Sequence, residues 1–232
     1  VLVSVESTAQ ITIKTEYFGT SAYRDEHNQK VGSSKGSAMV YHGSANLPLS
    51  MKKNESNQPT IWGIGLSGDY ASLNNKNIAE PLVLSEILNL QMLLFHVRPL
   101  SEKWSMMASV GVGVYTGDTR FSHLRFRNVL GSAGLVFVRR ILPNLELGAG
   151  LALNNAFGYP MAFPALYVNW NYGHKLTCSF SALEGANLAV GYNVNKTFSI
   201  SFITEMGGQM ALTELNGDDK IFTHQYLSLI HI

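Results

Sequence analysis

Most of this chain divides into short segments in which every second residue is apolar and the residues between are small or polar. Asn144 to Asn154 is the cleanest case: Leu145, Leu147, Ala149, Leu151 and Leu153 alternate with Glu146, Gly148, Gly150, Ala152 and Asn154. A period of two places one set on each face of a β-strand, so each segment has one oily side and one small or polar side. The pattern recurs at Trp62, Ile64 and Leu66, at Met106 to Val114, at Leu166, Val168 and Trp170, and at Phe198, Ile200 and Phe202.

The alternation predicts twelve strands, near 10–19, 37–49, 59–71, 86–98, 103–116, 126–139, 144–154, 162–172, 175–183, 187–194, 197–211 and 221–229. Residues 82–97 also fit an amphipathic helix, through Leu84, Ile87, Leu88, Gln91 and Leu94. Links after strands four, six, eight and ten are brief, and those after one, three, five and eleven are longer and more polar, while the link after strand two is of middling length and those after seven and nine are short for outer loops. In an antiparallel series this gathers the brief turns at one end, the order of short periplasmic turns and long outer loops.

Composition decides which solvent the oily face meets. Charged residues are 14% of the 232, against about 25% in soluble domains. The Gly/Ser/Asn face carries too little Lys and Glu for a surface bathed in water. No segment approaches the roughly 18 apolar residues of a spanning helix, so a membrane protein of this sequence must be a closed barrel. The expected fold class is therefore all-β: an antiparallel up-and-down transmembrane β-barrel of about 12 strands, with the outer membrane as its location. Residues 1–10 read as a signal-peptide remnant and 11–232 as the barrel domain. The net charge of +1, without a basic stripe, excludes a nucleic-acid partner. Expected partners are the lipid bilayer and small solutes, and no cofactor or metal is expected. Cys178, the only cysteine, is read as a small apolar residue on the face of Leu176 and Phe180.

On this reading Trp62, Trp104, Trp170, Tyr172, Tyr192 and Phe198 form a membrane-interface girdle at the short-turn end. Tyr17, Phe18, Tyr70, Tyr115 and Phe163 form a second at the other end. His42, Ser44, Asn46, Glu146, Asn169 and Asn171 are the lumen-lining candidates. His42 and Ser44 also have the residue types of a base and nucleophile pair, an enzyme reading set below the structural one because no orienting partner is visible. Asp69, Glu86, Arg98, Arg139 and Glu205 suit either solvated rims or an internal ring of charge.

The segments PLSEKWSMMASVGVG (Pro99 to Gly113), RNVLGSAGLVFVRRILPNLELGAGLAL and FPALYVNWNYGHKLTCSF (Phe163 to Phe180) resemble an uncharacterised outer-membrane β-barrel domain family of Gram-negative bacteria. The resemblance covers about residues 11 to 227, implies a barrel in the outer membrane, and brings no catalytic or ligand residue. Leu229 to Ile232, after Ser228, resemble a translated sequencing-adapter tail, so the barrel is expected to lack a strand or two. The functional expectation is a small pore or membrane scaffold with surface loops. The alternatives are a soluble lipocalin-like binder of a hydrophobic ligand, whose apolar set would point inward, and a barrel enzyme using His42 and Ser44.

Overall fold

A computed structural model describes residues 10–24, 27–78, 84–120, 123–154, 161–173, 175–182, 186–195, 198–215 and 218–231. The expected leader remnant lies outside these residues except for Gln10, which opens the first strand.

Twelve strands follow one another: β1 Gln10–Arg24, β2 Lys30–Lys53, β3 Pro59–Lys76, β4 Glu86–Pro99, β5 Trp104–Thr116, β6 Val129–Leu142, β7 Leu145–Asn154, β8 Met161–Tyr172, β9 Leu176–Ala182, β10 Ala186–Asn193, β11 Ser199–Leu215 and β12 Asp218–His231. Each pairs antiparallel with the next in chain order, giving a single up-and-down sheet. Among the described residues β1 and β12 do not pair with each other, so the sheet is curled but open. Residues 86–99 are strand, not helix, since β4 is bonded along its length to both β3 and β5.

The alternation sets the faces as the sequence implies. In β7, Leu147, Leu151 and Leu153 are exposed on the outer face at 41%, 63% and 50%, while Ala152 on the inner face is buried. Val110 and Val112 on β5, Leu135 and Phe137 on β6, and Ile200 and Phe202 on β11 are likewise exposed outward. The inner face holds two small cores. Ala38, Val40, Ala71, Leu84, Ile87 and Ala211 form one, and Val136, Val138, Ala152 and Ala165 the other.

Glycines make room for this curvature. The Phe95 ring lies where a Cβ on Gly63 would stand, and the Tyr115 ring lies 2.7 Å from the Cβ position of Gly113. Large inner side chains therefore lie flat along the wall over a neighbour that has none.

Connections follow the expected parity with one difference of extent. The reversals from β2 to β3, β4 to β5, β6 to β7, β8 to β9 and β10 to β11 gather at one end. At the other end, residues expected as loops at 20–36 and 212–220 are largely strand, because β1, β2, β11 and β12 run beyond the apolar alternation as paired hairpins. Residues 77–85 and 117–128 remain as longer links, the second closing on a 3-10 turn at Phe126–Asn128.

The long-loop end of β11 takes a course that alternation does not foretell. Its pairing with β10 ends at Ala186↔Met206, and from there it leans across the inner face onto β4 and β5. Ala211 enters the core formed by Val40, Ala71 and Ile87.

Candidate functional site

Three polar groups stand out on the inner face and at its long-loop mouth. The first is built by β1, β2 and β3, whose register sets Lys14 opposite His42 and His42 opposite Asp69. His42 Nδ1 lies 2.5 Å from Asp69 Oδ1, Nε2 lies 3.0 Å from Glu16 Oε2, and Lys14 Nζ lies 3.2 Å from Glu16 Oε1. Ionised carboxylates only accept, so each engages its ring nitrogen as a donor. Neither nitrogen is left to take a proton from Ser44, which stands across from Ser67 on the same wall. The orienting partners that the sequence did not disclose are thus two acids that lock His42 in place. The group reads as structural, an ion-pair network bridging three strands.

A second group lies near the short-turn end. Glu146 accepts from Arg140 at 3.3 Å and is paired across strands with Asn169. Asn171 Nδ2 lies 3.5 Å from Asn169 Oδ1. Asn46 Oδ1 lies 3.2 Å from the Cβ position of Gly65 on the inner face. All six lumen-lining candidates therefore share the inner face, but in two separated clusters: His42, Ser44 and Asn46 on β2, and Glu146, Asn169 and Asn171 across β7 and β8. Between β8 and β11 this face also carries Thr177, Ser179, Ser181 and Ser201.

The third group, at the mouth, includes residues the sequence reading passed over. Asn89 Nδ2 donates to the Met210 carbonyl at 2.6 Å, and its Oδ1 accepts from the Met210 N–H at 3.1 Å. Asn128 Nδ2 donates to the Leu212 carbonyl at 2.7 Å. Arg125 and Arg127 both donate to Glu214, at 2.9 and 2.5 Å. A cavity of about 620 Å³ opens beside this contact, lined in part by Thr116, His123, Arg125, Asn128 and Glu214. The Arg127 guanidinium, followed by Arg125, holds the Glu214 carboxyl below its ordinary range. Arg120 does the same to Asp118, more strongly, with His123 adding to it.

The outer face carries the aromatics. Trp62, Trp104, Tyr172, Tyr192 and Phe198 are exposed near the short turns, and Trp170 is half-buried there. Trp62 stacks on His96 at 4.0 Å, Trp170 packs on Tyr172 at 5.7 Å, and the Arg139 guanidinium sits 5.5 Å over Trp104. The second expected girdle is divided. Tyr17 and Tyr70 face outward, joined by Tyr41, which stacks on Tyr70 at 6.2 Å. Phe18 and Tyr115 turn inward, onto the core and onto Gly113, and Phe163 shares the inward parity of Ala165.

The charges named as a possible ring are not brought together. Asp69 joins His42, Glu86 bonds Tyr70 and Thr119, Arg139 covers Trp104 and Arg98 is exposed. The Glu205 side chain lies outside the described residues. Among the described residues, no cluster of three or more His, Cys, Asp or Glu is placed to hold a metal ion.

Fold and faces together define a class: an antiparallel up-and-down β-sheet with an apolar outer surface and a partly polar inner one. Within it, the chain belongs to the family described as a domain of unknown function, DUF6268, whose pattern matches residues 5–230. No curated protein and no solved structure matches the chain.

Proposed function

We propose that this chain is a membrane-spanning β-barrel of the outer-membrane type, acting as a small pore whose long-loop mouth is closed in the conformation described. One observation carries the reading: the oily side chains face out and the ion pairs face in. Val110, Val112, Leu135, Phe137, Leu147, Leu151 and Leu153 stand exposed side by side across β5, β6 and β7, a contiguous apolar surface of the kind that marks a membrane or partner contact. In water such a surface would drive aggregation, whereas in hydrocarbon it is solvated.

The spacing of the aromatics fits that solvent. Trp62 and Tyr70 lie on one outer face eight residues apart on β3. At about 3.3 Å per residue and a tilt near 40°, this spans roughly 20 Å, close to the ~25 Å apolar band of such barrels. Within the band the charges of Glu16, His42 and Asp69 are held inside. The reading requires the free edges of β1 and β12 to be covered in the bilayer, because hydrocarbon leaves backbone groups unsatisfied. A soluble binder of a hydrophobic ligand would have the opposite faces, and the carboxylates on both His42 nitrogens speak against its use as a base.

Refolding into phosphatidylcholine vesicles tests the proposal. The expected result is protein that floats with the vesicles and migrates faster unheated than boiled on a denaturing gel, as closed barrels do. Protein that stays monomeric in detergent-free buffer and does not float would overturn it.

A further inference from the structure

Where β11 passes the end of β10, the edge it presented to that strand meets no further strand among the described residues. Side chains take over. Asn89 makes the two hydrogen bonds to Met210 that a neighbouring strand residue would make, and Asn128 makes one to Leu212. Gln209, Met210 and Ala211 are buried beneath this contact, and Glu214 is tied to Arg125 and Arg127 at the rim. Residues 209–214 therefore occupy the mouth, joined to the sheet through β12. Gly207 and Gly208 directly precede them in the sequence.

How the segment is held distinguishes a plug from a wall. A wall strand is fixed by a main-chain ladder on both sides, which nothing short of unfolding removes. Among the described residues this segment has a ladder on the β12 side alone, and on the other side two amides, a small apolar contact and one carboxylate are among the groups that meet it. Arg125 is two-thirds exposed, and the cavity beside the latch admits water and salt to the ion pair. That cavity is not itself read as an anion site, because both arginines already face Glu214. Below the plug the inner face of β8 to β11 is lined by the amides of Asn169 and Asn171 and the hydroxyls of Thr177, Ser179 and Ser201. Thr177 and Ser179 are exposed there, a wet path for small polar solutes.

We propose that residues 209–214 are a releasable plug, latched by Glu214 on Arg125 and Arg127 and by Asn89 on the Met210 backbone, whose undocking opens the barrel to water and small polar solutes. The proposal rests on the membrane-barrel reading above. It differs in asking for two states of one mouth.

A cross-link separates the two claims. A Cβ built on Gly117 would lie 3.5 Å from the Ala211 Cβ, within the reach of a disulfide. Gly117→Cys with Ala211→Cys, in a Cys178→Ser background, should oxidise to an intramolecular bond in the full chain. In planar bilayers the oxidised protein should be silent, and reduction should restore openings. Glu214→Gln with Asn89→Ala, carrying no added cysteines, should raise the open fraction about threefold or more over the parent chain. Failure of the bond to form overturns the docking. Equal conductance of the oxidised and reduced forms, silence in both forms of vesicle-bound protein, or an unchanged open fraction in the double variant overturns the plug alone. Protein that binds no vesicle in either form overturns the barrel reading, and the plug with it.

Discussion

His42 shows how a residue's neighbours, and not its type, decide its role. With Asp69 on one nitrogen and Glu16 on the other, its loss would leave two carboxylates facing each other across β2. His42→Ala should lower stability by about 1–3 kcal/mol, while Ser44→Ala should stay within ~0.5 kcal/mol. Urea midpoints of the refolded protein compare the two, and equal losses would contradict the structural role. Glu214 sets a pH dependence. Its carboxyl is held below the ordinary 4.5, so its contribution is complete above that value and is lost as pH falls through the depressed one. Asp118, held down by Arg120, titrates in the same direction. Spin labels at His123→Cys and Thr213→Cys, which also remove the imidazole beside Asp118, should keep one separation from pH 8 to 5 and move apart only as the pH falls below the ordinary carboxylate range. A separation that grows already at pH 6 would contradict the latch. None of these partnerships was legible in the sequence, because His42 meets Asp69 only through the β2–β3 register, and a slip of one residue would turn Asp69 to the other face.

Among the elements, β7 was readable from its alternation alone, and its partner β6 explains why Gly150 is small. A Cβ there would run into the Leu135 carbonyl oxygen and approach the Val136 Cα at 2.7 Å, both main-chain atoms that cannot rotate away. Gly150→Ala should therefore push β6 and β7 apart at a cost of about 1–3 kcal/mol. Gly131→Ala, whose Cβ would have 3.9 Å to the Gly111 oxygen, should be neutral. The folded fraction after refolding distinguishes them, and equal yields would show that the close approach is not needed. β11 was only half legible. Its parity placed Phe198, Ile200 and Phe202 outward, as found, but parity names a face and not the wall which that face meets. That Ala211 reaches Val40 and Ile87 follows from how the whole sheet curls, a long-range property absent from any local pattern. The hairpin whose arms are 20–24 and 30–36 was hidden for a simpler reason: its largely polar arms pair beyond the apolar alternation, so no oily face marks them as strand.

At the scale of the molecule, the sheet inverts the arrangement of a water-soluble protein. Its inner cores are small, built of Val, Ile, Leu and Ala, whereas much of its large apolar side-chain surface is outside. Burial of such small cores supports a curled sheet poorly in water, and on the proposed membrane reading the outer face would supply the stabilisation through contact with acyl chains. The polar inner clusters then cost little, since each charge there has a partner. The most direct test places a probe on each face. Leu151→Cys and Ser179→Cys, each in a Cys178→Ser background and labelled with bimane, are refolded into vesicles containing brominated lipid. The probe at position 151 should be quenched by the lipid and ignored by aqueous iodide, and the probe at 179 should behave in the opposite way. Iodide quenching of position 151 with no effect of the lipid would contradict the account.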